Sequence, residues 1–241
     1  MDSISRHVLF AATLALVVAV ARPAPGWAGN VPYERMAPLD LYLMADRQAE
    51  IDLARSAAPS AISIHATFLV LGHHGYETAE KGTNGFTCLV ERSWMSPFDS
   101  AEFWNWKMRG PICYNPAAAR TVLIYTLQRT EMALSGLTRS QMLDRSKAAV
   151  ADKQLPTPEP GSMSYMMSKH GDLGDAVGPW LSHLMFYAPK ADGANDGASW
   201  GADLPASPVI LDTSHRIVPE PETIFMIPVA HWSDGTPAPP T

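Results

Sequence analysis

Cysteine is scarce in this sequence: Cys88 and Cys113 are the only two in 241 residues. No Cys-x-x-Cys pair occurs, which excludes thiol redox motifs and zinc knuckles. Long apolar runs are also missing after residue 21, where nothing approaches the roughly 20 residues that a membrane-spanning helix takes. Positive charge is in deficit, with 18 Lys and Arg against 24 Asp and Glu and a formal charge of −6. No polybasic run exists, so neither nucleic acid nor an anionic membrane surface is an expected partner. There is no His-Glu-x-x-His helix, no Ser-x-x-Lys, no phosphate-cradling glycine loop ending in Lys-Ser or Lys-Thr, and no Asn-x-Ser/Thr sequon. These absences set aside several common enzyme families without excluding enzymes as a class.

What is present starts with an export signal. Arg6 precedes an apolar run over residues 8–21, which Arg22, Pro23, Pro25 and Gly26 then end. The run has the length of a signal h-region, about 7–15 residues, and is short for an anchor. Gly26 and Ala28 provide the small residues that signal peptidase takes at −3 and −1, placing the cut before Gly29. The competing reading is an uncleaved N-terminal anchor. Residues 1–28 are thus read as a signal peptide, and residues 29–241 as a single globular domain, periplasmic or secreted and without stable membrane insertion once the signal is gone. Removing Asp2, Arg6 and Arg22 leaves that domain one unit more acidic than the whole chain. In an oxidising compartment an even cysteine count favours a Cys88–Cys113 disulfide, against the alternative of two buried thiols.

Periodicity outlines the rest. A helix is expected over residues 40–56, with Asp40 able to cap it and Pro59 barring continuation. Residues 62–71 alternate, with Phe68 and Val70 on one face and Leu69 and Leu71 on the other, as in a strand. Gly72-His73-His74-Gly75 turns the chain, and Asn84-Gly85 reads as a tight hairpin returning through residues 86–92, which together make a β-meander. Residues 93–115 read as an aromatic connection. Asn115-Pro116 opens a helix that Gly136 closes, and Thr138 with Gln141 caps another reaching about residue 153. Extended segments at 162–168, 183–188, 208–212 and 223–229 follow a proline-rich linker at 155–161. The whole describes an α+β domain with a mainly antiparallel sheet, a helix pair inserted between strand groups, and one N-terminal helix.

Four stretches carry a resemblance: residues 50–59, Arg109-Gly110-Pro111-Ile112-Cys113-Tyr114-Asn115-Pro116, Tyr165-Met166-Met167-Ser168-Lys169, and Trp232-Ser233-Asp234-Gly235-Thr236. From about residue 49 to 232 the chain is similar to a group of uncharacterised exported bacterial proteins with no assigned activity. The resemblance implies export and no functional residues.

Three constellations are chemically suggestive. His170, Asp172 and His183 surround a glycine-rich loop and could converge on a divalent metal, the cofactor that a metal-assisted hydrolase around His170 would need. The plainer reading is solvent-exposed loop histidines and a His183 bonded to backbone. Trp104, Trp106 and Arg109 lie in the aromatic stretch and would suit a small molecule, a glycan or an envelope protein as partner; the alternative is core closure beneath a long loop. The acidic run Asp192-Gly193-Ala194-Asn195-Asp196-Gly197 has calcium-type donors without EF-hand spacing, and also reads as a solvated turn. Two function classes stay open: a binding or structural module of the cell envelope, and the metal-assisted hydrolase.

Overall fold

Asp46, not Asp40, opens the first helix. Its carboxylate accepts from the Gln48 and Ala49 amides, and α1 runs Arg47–Arg55. Residues Leu39–Leu41 upstream form only a 3-10 turn. The computed structural model describes residues 33–175, 181–190, 199–213 and 216–239. The expected signal peptide, the acidic run 192–197 and His215 lie outside the described residues.

The alternating segment splits in two. Ser60–Ser63 form a helical turn, α2, and the strand β1 starts only at Thr67, ending at Gly72. Pro59, fixed in φ, initiates the turn in place of a strand. A tight turn leads into β2, Gly75–Glu80, which pairs antiparallel with β1. The expected meander is then broken. β3, Thr87–Glu91, lies beside β1 in parallel and leaves β2 at the sheet edge. Gly82 makes the crossing possible: a Cβ there would lie 2.2 Å from the Ala66 carbonyl carbon. The Asn84 side chain donates to the Ile62 carbonyl at 2.7 Å and holds the crossing loop down.

The aromatic connection contains a strand that its composition conceals. β4, Gly110–Tyr114, is buried along its whole length and pairs antiparallel with β3. Cys88 and Cys113 face one another across that pair and are joined by a disulfide. The expected long helix is interrupted at Thr121, giving α3 (Pro116–Arg120) and α4 (Leu123–Leu134). Asn115 caps α3 by accepting from the Ala118 amide at 2.9 Å. The capping box of Thr138 and Gln141 opens α5, Arg139–Ala151.

β5 (Met163–Met166), β6 (His183–Pro189), β7 (Ile210–Leu211) and β8 (Glu222–Pro228) complete an eight-stranded sheet in the order β2-β1-β3-β4-β5-β6-β8-β7. Only the β1–β3 pair is parallel, so the class is α+β with a mainly antiparallel sheet. Side chains of a strand alternate between faces. Phe68, Val70, Cys88 and Val90 pack under α1 through Ile51 and Ala54. Leu89, Ile112, Tyr114, Met166 and Tyr187 face the other way, toward Ala118, Val122 and Tyr125 of α3 and α4. A third cluster, built on Tyr42, Trp94, Phe103 and Trp104, seals the end of the sheet against Met132 and Met142. No helix among the described residues is long and apolar enough to cross a membrane.

Candidate functional site

The sequence-predicted residues occupy three separate settings. Trp104 is 2% exposed and packs edge-on against Phe103, with centroids 4.8 Å apart. It contributes to the wall of an open groove of about 420 Å³, together with Met36, Leu39, Leu137 and Arg139. Trp106 is half-buried, with the Lys107 ammonium 5.9 Å from its ring centroid. Arg109 turns back on its own neighbourhood, donating to the carbonyls of Trp106, Met108 and Leu41. Burial and the nearby Arg92 pull its guanidinium down to about 10. The three do not share an exposed face, because Trp104 is almost wholly buried.

The His170 loop is equally divided. His170 is exposed, and its backbone amide donates to Ser168 Oγ at 3.1 Å. Asp172 pairs through its backbone with Arg109 and accepts the Gly174 amide on Oδ1 at 2.8 Å. His183 is 3% exposed on β6, with Nδ1 2.5 Å from the Leu181 carbonyl, and burial holds its pKa below the usual value. Among the described residues no group of three His, Cys, Asp or Glu side chains is placed to hold a metal ion, and this trio forms none. The Asp172 and His183 side chains meet backbone groups, and His170 faces solvent.

A Gly-x-Ser-x-Gly pattern spans residues 197–201. In an esterase the serine stands on a strand-to-helix turn. Here Gly201 and the residues after it form turns, and Trp200 stacks on Phe225 at 4.4 Å. Residues 191–198, which lead into the pattern, lie outside the described residues.

The titratable groups that do converge lie elsewhere, between α4 and the sheet. Alternation puts Glu91 on the same face of β3 as Leu89, and Tyr114 beside Ile112 on β4. β6 adds Tyr187, and β8 adds Glu222. From above, α4 presents Tyr125, Thr126 and Arg129, spaced to share one side of the helix. With Asp212 and Glu220 these line a cleft of about 90 Å³.

Its polar groups fall into two sets. In the first, Arg129 Nε and Nη2 donate to Glu220 at 2.7 and 2.6 Å, while Nη1 donates to the Ser96 carbonyl at 2.8 Å. The hydrogen bonds of that pair are satisfied within it and at the Ser96 carbonyl. In the second, Tyr114 donates to Glu91 Oε1 at 2.6 Å and Thr126 donates to the same oxygen at 2.9 Å. The Tyr187 hydroxyl lies 2.8 Å from Ser164 Oγ. Glu222 is 6% exposed, and its Oε2 has no hydrogen-bond partner among the described residues.

Burial raises the carboxyl pKa of Glu91, which the Tyr114 and Thr126 bonds partly oppose. Glu222 is pushed well above the carboxylate range, first by burial and then by the like charge of Glu220. Asp212 rises for the same first reason, tempered by Arg216. Perturbed carboxyl groups gathered in a cleft are a recognised mark of binding and catalytic sites. A neutral carboxyl both donates and accepts a hydrogen bond, whereas a carboxylate only accepts.

Comparison with protein families, with curated proteins and with solved structures gives no match to this chain.

Proposed function

We propose that the protein is an exported binding module, periplasmic or secreted, that takes a small molecule into the carboxyl–tyrosine cleft between α4 and the sheet. Export is supported by the signal-like residues 1–28 and by a disulfide of the kind that persists in oxidising compartments. The observation that carries the binding reading is Glu222 Oε2. An unsatisfied buried polar atom costs about 1–3 kcal/mol, and a ligand hydrogen bond at that atom would recover it. The larger groove beside Trp104 offers no comparable orphan group.

The same neutral carboxyl suits proton transfer. A ligand consumed on the protein, not released intact, would turn the binding module into an enzyme without metal at His170.

Ligand-observed NMR on protein recovered from the periplasm of an expressing host tests the site. Compounds of a few non-hydrogen atoms match the cavity, which at roughly 30 Å³ per water has room for about three waters. At least one should bind, and lose binding in Glu222→Gln and Tyr187→Phe while both variants keep native circular dichroism. Binding that survives both substitutions would move the site away from the cleft, and a screen without a binder would sink the reading.

A further inference from the structure

The cleft carries more acid than base, and the surplus indicates what it accepts. Glu91 enters from β3, Tyr114 from β4, Tyr187 from β6, Glu222 from the start of β8 and Glu220 from the segment just before it. Asp212 stands just beyond β7, while α4 supplies Tyr125 and Arg129, the one cation of the lining among the described residues. Arg129 is held by both oxygens of Glu220. Arg216, whose charge acts on Asp212, is exposed. Arg129 also draws on Glu91 and Glu222, but burial outweighs it at both, and one buried cation faces four acidic groups of the lining, Glu91, Asp212, Glu220 and Glu222. The phenol groups of Tyr125 and Tyr187 are engaged with the Pro156 carbonyl and Ser164, which fixes both rings in place. Carboxyl groups that can ionise beside aromatic rings are a setting for an ammonium group.

We propose that the cleft binds a small organic ammonium ion, a primary amine of a few non-hydrogen atoms, with Glu222 as its carboxylate partner. This rests on the cleft being the binding site. Size sets the upper limit, because about 90 Å³ holds roughly three waters or a ligand of similar bulk. A bare divalent ion fits less well, because among the described residues no three acidic or imidazole groups are placed around one point. An ammonium needs only one carboxylate, hydrogen-bond acceptors and aromatic faces.

Charge balance then links binding to protons. Burial favours the protonated form of the carboxyl groups in the empty cleft, Glu222 most of all; an ammonium that enters beside Glu222 displaces its O–H proton to bulk water, and the cleft keeps its net charge. Affinity must rise with pH while that proton is being displaced, by up to tenfold per unit for one proton. It levels once the carboxyl is ionised, and declines when the amine itself loses its proton near the ordinary value for an alkylammonium, about 10.

The test is isothermal titration calorimetry on the exported protein with ethanolamine hydrochloride, ethylene glycol, sodium glycolate and calcium chloride. Titrations at several pH values in two buffers of different ionisation enthalpy count the protons released. Ethanolamine should bind at one site with about one proton released, and Glu222→Gln should weaken it at least tenfold. Ethylene glycol should bind at least tenfold more weakly. If ethylene glycol or glycolate binds as well as ethanolamine and Glu222→Gln abolishes it, the cation assignment falls and the cleft stands. Preferential binding of calcium through Glu222 would overturn the ammonium in favour of a metal. If no probe responds to Glu222→Gln, the cation assignment falls, and the NMR screen decides whether the cleft reading falls with it.

Discussion

Arg129 and Glu220 meet through two hydrogen bonds of 2.7 and 2.6 Å although 91 residues separate them. Both side chains are 2% exposed, and the guanidinium also lies 4.3 Å from the Phe98 ring centroid. The pair ties α4 to the approach of β8 and so forms one wall of the cleft. Removing one partner strands the other charge, which costs about 3–5 kcal/mol for a buried pair. Arg129→Met is expected to lower unfolding stability in urea by about that amount. Arg129→Met combined with Glu220→Leu should recover much of the loss, because two apolar groups leave no charge without a partner. A double variant as unstable as the sum of its single changes would contradict this.

Much of the fold is legible in the sequence, and the cleft is not. Asn115, the Thr138–Gln141 box and Gly136 act within a few residues of themselves, so their caps appear as read. The strand pairing of β3 depends on Gly82 passing the Ala66 backbone, a contact between segments that no local pattern announces. Along α4, Val122 and Leu123 are buried as the apolar spacing suggests, but Leu127 is 38% exposed. The side that faces the sheet instead carries Tyr125, Thr126 and Arg129. Polar residues on the buried side of a helix read as its solvent side until their partners are known. One signal was available: Glu91 shares its strand face with Leu89, and an acid on an apolar face calls for a partner. Its partners, Tyr114 and Thr126, come from the next strand and the helix above it.

The disulfide should be hard to reach and costly to lose. Both cysteines are 0% exposed and sit in the centre of the sheet beneath α1. With a sequence separation of 25, the chain-entropy account gives about 3.5 kcal/mol of stabilisation. Cys88→Ala/Cys113→Ala is expected to lose about 2–4 kcal/mol in chemical denaturation. Native protein should resist alkylation under dithiothreitol until denaturant is added. Rapid labelling of both thiols without denaturant would show that the strands open locally.

Export makes a separate claim about the amino terminus. Intact mass and terminal sequencing of the protein from the periplasm or medium should give Gly29 as the first residue. Ala28→Leu, which removes the small residue at −1, should slow processing and accumulate the longer form in membranes. A mature species that still begins at residue 1 would support the anchor instead.

The pH dependence of stability reports directly on Glu222. Its pKa in the folded protein is raised well above the ordinary 4.5, so the folded state holds a proton that the unfolded chain has released. The favourable contribution is complete below pH 4.5 and is lost as pH rises through the folded value. Glu91, raised from 4.5, and Asp212, raised from 3.8, act with the same sign. The carboxyl contribution to unfolding free energy should therefore fall as pH increases above about 4.5, the ordinary value of Glu222, while His183, held below 6.5, acts with the opposite sign up to that pH in the native protein and in Glu222→Gln alike. Glu222→Gln keeps the volume of the protonated acid and removes its titration. It should be close to neutral near pH 4 and should flatten the slope above it by up to about 1.4 kcal/mol per pH unit, the value of one proton. Urea denaturation of both proteins across that range measures the difference. Parallel curves for the two would mean that Glu222 is already ionised in the folded protein, and the proton released on ligand binding would have to come from Glu91 or Asp212.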